Sequence, residues 1–202
     1  MHPNRAFGWD DRQGMLDFVA ERGFAHVFAA GMDGLFVAHA PVVITGEGRV
    51  QFHISRRNRA AGQLAGRQAL ISVAGRDAYH SANWYASPDQ VPTWLYDAVE
   101  IEGEARQLSE PELIAQVDRL TETMERRWSP DAPWTRAKMS PGKFEAMVQA
   151  IIGFEVDPRA IRGTRKFNQH KAAADVDATM AGQQGAGRED IVAAIRAISA
   201  GQ

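Results

Sequence analysis

The sequence contains no cysteine. That excludes disulfides, thiolate nucleophiles and thiolate metal sites, and it fits a reducing compartment. No sign of charge dominates. The formal net charge is −2 over 202 residues, so no global field draws the chain to nucleic acid or to an anionic membrane. A local basic patch stays open. No run approaches the roughly 18 apolar residues of a membrane span. The opening MHPNRAFGWDD lacks a basic segment followed by an apolar one, so no secretory signal is read and a cytoplasmic protein is expected. There is no Gly-rich dinucleotide or P-loop pattern: the turn at Gly46 and Gly48 precedes a strand, not a helix. The six histidines show no HxxxH or HxH spacing, so no metal is expected. Ser81 and Ser87 lack a nucleophile-elbow context, and no catalytic residue is named.

What is present is ordinary for a globular chain: 45% hydrophobic and 24% charged residues. Asp10 or Asp11 can cap a helix that runs to Arg22 and ends at Gly23. Strands are expected at 24–30, 35–44 and 49–54, with a turn at Met32-Asp33-Gly34. Pro41 marks an edge or a bulge. In the third strand Val50, Phe52 and Ile54 share one face, and Gln51 and His53 the other. Ser55 is expected to cap a short helix, SRRNRAAGQLAG. Strand returns at 69–73 and again, at length, at 93–108. Ser109-Glu110-Pro111-Glu112 is a capping box. It opens a helix to Trp128 whose apolar stripe is Leu113, Ile114, Val117, Leu120, Met124 and Trp128. A short helix follows to Gln149, then 151–156 as the last strand. The basic run 162–171 is read as irregular. Two helical pieces, 172–181 and 189–199, flank a Gly/Gln-rich link. Strands early and helices late argue for an antiparallel barrel or sheet with helices outside.

Two stretches carry candidate chemistry. Tyr79 to Gly103 holds all three tyrosines and two of the five tryptophans. Flat side chains with polar tips, on a loop beside a strand, suit a flat, polar-edged ligand; they equally suit plugging the end of a barrel. His53-Ile54-Ser55-Arg56-Arg57-Asn58-Arg59 runs from a strand to an expected helix start. Free backbone N–H groups, neutral donors and guanidinium forks there suit a phosphate, and a solvated basic helix face explains the same residues. Glu100, Glu102 and Glu104 share one face of a strand and read as solvated.

Four blocks together resemble the PaiB-type FMN-binding negative transcriptional regulators, similar in fold to pyridoxamine-phosphate oxidase. They are Met1-His2-Pro3 with Phe7, then FHISRRNRAA from Phe52, SANWYASPDQVPTWLYDAVEIEGEA from Ser81, and IIGFEVDPRAIRGTRKFNQHK from Ile151. The resemblance implies a mainly β, α+β chain built on an antiparallel FMN-binding split β-barrel with peripheral helices; the barrel domain is read over 1–171 and a C-terminal helical extension over 172–202. It implies a homodimer with FMN at the subunit interface. His53, Arg56, Asn58 and Arg59 fall where the phosphate end is expected. Ser81, Trp84 and Tyr85 match the family's S-x-x-W-Y, and Pro92, Thr93, Trp94 and Tyr96 its V-P-T-W-x-Y. Lys166, Gln169 and Lys171 fall in the late basic block. Three departures stand out: Arg59 where the family has proline, Leu95 where it has asparagine, and Phe167-Asn168-Gln169-His170 in place of L-S-Q-N. FMN as ligand or redox sensor of a regulator is the first functional expectation, and a small flavin-dependent oxidoreductase the alternative. DNA is a possible partner that the charge does not support.

Overall fold

The computed structural model describes residues 2–32 and 34–200. Its elements are β1 (Gly8–Trp9), α1 (Arg12–Arg22), β2 (Phe24–Gly31), β3 (Gly34–Ile44), β4 (Val50–Ser55), β5 (Arg67–His80), β6 (Thr93–Gln107), α2 (Glu110–Trp128), α3 (Lys143–Val148), β7 (Ile151–Val156), β8 (Ala160–Lys166), α4 (Ala173–Gly185) and α5 (Glu189–Ala200). The strands pair in the order β1-β8-β6-β5-β2-β3-β4-β7, and β6 also pairs with β7. The hydrogen-bonded path from β6 through β5, β2, β3, β4 and β7 therefore returns to β6. This is the antiparallel sheet of a split barrel, with helices. Internal contacts divide the chain into two compact units.

The barrel unit comprises Arg12–Val73 and Glu100–Ile161. Alternation puts Val50, Phe52 and Ile54 inside, where Phe52 stacks on Phe154 with ring centroids 5.6 Å apart. Burying each phenylalanine contributes roughly 2–3 kcal/mol. Gln51, on the opposite face, is buried too: α2 contacts β3, β4 and β7 and covers that side. α2 starts as its capping box dictates. Glu112 accepts the Ser109 backbone N–H and hydroxyl, each at 2.7 Å. Arg106 first and Ser109 second pull the Glu112 carboxyl down to about 2. The expected apolar stripe holds until its last member: Ile114 and Val117 pack on Leu108, Leu113 and Val148, Leu120 and Met124 are half-buried, and Met124 lies against Gly23. Trp128 is 73% exposed with the Arg127 guanidinium 5.3 Å from its ring centroid, while Gln116 takes a buried position.

The expected helix from Ser55 to Gly66 does not form. Residues 56–63 are successive turns. The bonds run three residues back: Asn58 N to Ser55 O, Ala61 N to Asn58 O, Gln63 N to Ala60 O and Arg67 N to Leu64 O. Ala60, Ala61 and Leu64 are buried at helix-like spacing, which explains the expectation. The Asn58 side chain, accepting from Ala60 N at 2.9 Å, favours a turn over a helix. In the β2–β3 hairpin Asp33 lies outside the described residues, and Gly34 has φ +99°.

The terminal unit comprises the described parts of Met1–Asp11, Ala74–Val99 and Arg162–Gln202. Two strands there escaped the sequence reading. β8 occupies the stretch expected to be irregular, and β1 pairs with it through Gly8↔Thr164 and Trp9↔Gly163. β8 is short and rich in basic residues, so it lacks a strand's usual pattern. α4 and α5 bury Ile191, Ala194 and Ile195 against Ala78, Leu95 and Phe167. The expected Gly/Gln link is shorter than read, because α4 continues through Gly185. Gly182 lies inside α4, where an added Cβ would meet the Trp84 ring at 2.7 Å.

Candidate functional site: a guanidinium turn and a basic cluster

The predicted site residues divide between the two units. His53, Arg56, Asn58 and Arg59 belong to the barrel unit, and Ser81, Trp84, Tyr85, Thr93, Trp94, Lys166, Gln169 and Lys171 to the terminal unit.

In the barrel unit the chain leaves β4 into the turns after Ser55. Arg56 is fixed twice: its backbone N–H donates to Ala150 O at 2.9 Å and its Nε to Gln149 O at 2.9 Å. Arg59 donates one terminal nitrogen to Leu35 O. Each guanidinium is thus held by one backbone carbonyl, and both side chains lie in exposed residues with donors left over. Arg57 between them is exposed as well. This donor set fits a phosphate: planar forks, anchored in advance, with no carboxylate bonded to them among the described residues. His53 does something else. Its Nδ1 meets Gln116 Oε1 at 2.9 Å, and burial, partly offset by Gln116, lowers its pKa. A neutral imidazole adds no charge for an anion; it ties β4 to α2.

In the terminal unit the aromatic segment sorts into two kinds of residue. Trp94 is 54% exposed and Tyr79 51%, and their rings meet edge-on at 6.3 Å. Trp84 and Tyr85 instead frame the fully buried His80 at 5.3 and 4.5 Å. The Tyr85 hydroxyl accepts from Asn168 Nδ2 at 3.0 Å, and burial raises its pKa. Asn168 is itself buried with φ +61° and also donates to Thr179 Oγ1 at 3.1 Å. Ser81 accepts from Asn83 N at 3.3 Å and caps a short 3-10 turn. The following loop is held by Asp175, which accepts from Ala86 N and Ser87 N at 2.9 Å and Ser87 Oγ at 2.7 Å. The bonds from Ser87 lower the Asp175 pKa.

A second cluster forms around Phe7. His2 and His170 meet its ring edge-on at 4.7 and 4.8 Å, and Lys166 Nζ stands 5.9 Å from its centroid. Lys166 donates to Thr93 Oγ1 at 2.7 Å, and burial lowers its pKa. Lys171 donates to Gln90 Oε1 and lies 5.0 Å from the Tyr85 ring centroid. Gln169 spends its amide N–H groups on Ala6 O and Arg165 O. The structure thereby joins residues of the opening, third and late blocks of the resemblance. His2, Phe7 and His170 were not named as site residues from sequence, although all three lie in or beside those blocks.

The comparisons agree with this fold. Residues 1–159 match the family model described as "Putative FMN-binding domain". A Bacillus subtilis (strain 168) protein, "Protease synthase and sporulation protein PAI 2", is 32% identical over 106 residues, spanning 52% of this chain and 50% of that one. Only about half the length of that relative is therefore matched. Among solved structures, the flavocytochrome Anf3 from Azotobacter vinelandii superposes with a TM-score of 0.62 at 14% identity, covering 82% of this chain and 72% of that one. The FAD and heme binding protein from Mycobacterium smegmatis gives 0.58 at 15%, covering 79% and 73%. At such identities the two likenesses speak for the fold. No helix among the described residues is long and apolar enough to cross a membrane. With a family model matching most of its length and a flavoprotein fold around it, the chain belongs to the FMN-binding domain family, and its cofactor is FMN.

Proposed function

We propose that the protein is a PaiB-type, FMN-responsive regulator that works in the cytoplasm as a homodimer with FMN at the subunit interface. The observation that supports this reading best is the pair of anchored guanidiniums, Arg56 and Arg59, which would hold the FMN phosphate. Fixing them before binding lowers the entropy cost of clamping a dianion. Asn58 would stiffen the turn that carries them. Among the ring candidates Trp94 presents the most open face, while Trp84 and Tyr85 would shape the loop around it. When bound, FMN supplies electron and hydride chemistry; the protein's part is binding and orientation.

The dimer reading draws on the outward face of β2 and β3. Phe24, Phe28, Leu35 and Val37 are all at least 40% exposed there, with Phe28 paired to Val37 and His26 to His39. No Asp, Glu, Lys or Arg occupies the outward positions 24, 26, 28, 30, 35, 37, 39 or 41. A sheet face this apolar is suited to burial against a second copy.

The test is a flavin titration followed by fluorescence quenching. Wild type should bind FMN and turn yellow. Arg56→Glu and Arg59→Glu should each abolish binding, with an unchanged circular dichroism spectrum. Unaltered affinity in both variants would sink the phosphate assignment. Bleaching of the bound flavin by NADPH with turnover on an acceptor would replace the regulator with the oxidoreductase. Sequence-specific DNA binding that survives moderate salt would support direct regulation.

A further inference from the structure

Around Phe7 stand three basic groups, His2, Lys166 from the end of β8, and His170 just beyond it; Lys171, next along the chain, lies over the Tyr85 ring and its charge is felt at His170. Like charges gathered this way repel unless something compensates. Here the direct partners are neutral. Lys166 donates to a hydroxyl and Lys171 to an amide oxygen, and His2 Nδ1 accepts from Asn4 N at 3.1 Å. The crowding is felt at His170, whose pKa is lowered by burial first and then by Lys171, Lys166 and His2. The charge of Asp175 is felt with Lys171, but Asp175 is already committed to Ala86 and Ser87; Asp177 lines the same pocket as Lys171. His170 is exposed and His2, Lys166 and Lys171 half-buried, so a ligand has access. Lys166, His170 and Lys171 also lie beyond residue 159, where the family match ends.

We propose that His2, Lys166, His170 and Lys171 form a second anion site that takes the phosphate group of a ligand other than FMN. Lys166 and Lys171 supply the charge, His170 gains a second N–H donor and a positive charge once protonated, and Thr93 orients the Lys166 ammonium. This goes beyond the FMN reading, in which the turn at 55–59 holds the flavin phosphate, and it is tested separately from it.

The test is an NMR titration of the histidine ring protons of the full, FMN-loaded chain. Sulfate, which does not titrate in this range, serves as the probe, with chloride at matched ionic strength as control. Sulfate should raise the His170 pKa by about one unit and chloride should not. Lys166→Gln should weaken sulfate binding about tenfold or more while leaving FMN affinity intact. Arg56→Glu should do the reverse, losing FMN and keeping the sulfate response. Phosphate and ADP separate the sources: tighter binding of ADP identifies a nucleotide, and equal affinity identifies free phosphate. The proposal is overturned if sulfate moves His170 no more than chloride does. It is also overturned if Lys166→Gln abolishes FMN binding as Arg56→Glu does.

Discussion

Two groups of cations in this chain are held in opposite ways. In the barrel unit, Arg106 is bonded to Glu112 at 2.9 Å and to Glu155 at 2.8 Å. Arg49 reaches Glu47 at 3.1 Å and Glu155 at 3.6 Å. Arg119 donates to Gln51, whose amide donates to Glu155. Burial works against the charge of Glu155, but Arg106 and Gln51 outweigh it and hold its pKa low. In the terminal unit, Lys166, Lys171 and the two histidines find hydroxyl and amide partners or a ring edge. A cation bonded to a carboxylate fastens strands together. One held by a neutral oxygen keeps its charge available to a ligand. Arg56 and Arg59, held by backbone carbonyls, belong with the second kind.

The comparison predicts that removing the carboxylate hub damages stability more than removing any available cation. Glu155→Ala leaves Arg49, Arg106 and Gln51 without their shared acceptor, and should cost about 3 kcal/mol in urea unfolding, with anion binding unaffected. Gly182→Ala inserts a methyl group into the Trp84 ring and should cost roughly 1–3 kcal/mol, read by the same unfolding curves. Ser109→Ala removes half of the capping box and should cost about 1 kcal/mol. Lys166→Gln should change stability by less than about 0.5 kcal/mol; a loss as large as that of Glu155→Ala would erase the distinction.

Acid provides a gentler probe of the same contrast. The Glu112 pKa is depressed in the folded state. Its contribution is therefore present above the ordinary carboxylate range and lost as pH falls toward about 2. Wild-type melting temperature should decline through that window, and Glu112→Gln should flatten the decline.

The parts of this fold that were legible in the sequence are those decided locally. The capping box, the alternation of β4 and the apolar face of α1 each rest on a few neighbouring residues. The turns after Ser55 were not legible, because Ala60, Ala61 and Leu64 recur with helical spacing while the hydrogen bonds close over three residues. β8 was hidden for another reason: AIRGTRK has no apolar alternation, and it is a strand only because β1 and β6 lie beside it. The site followed the same rule. Candidates along one stretch, such as Arg56 to Arg59, could be nominated from chain order. The Phe7 cluster gathers residues 2, 7, 93, 166 and 170, and only tertiary structure brings them together. Trp84 and Tyr85 match the family's motif, yet the pattern could not reveal that they enclose His80.

The pairing of β1 with β8 sets a schedule as well as a shape. Gly8 leaves the ribosome well before Thr164, because more than 150 residues separate the two partners along the chain. At roughly 5–20 residues per second, the first strand waits about 10–30 seconds for its neighbour. Trp9, buried in the finished protein, spends that interval without its place in the sheet. Refolding from denaturant, where both strands are present from the start, removes the wait.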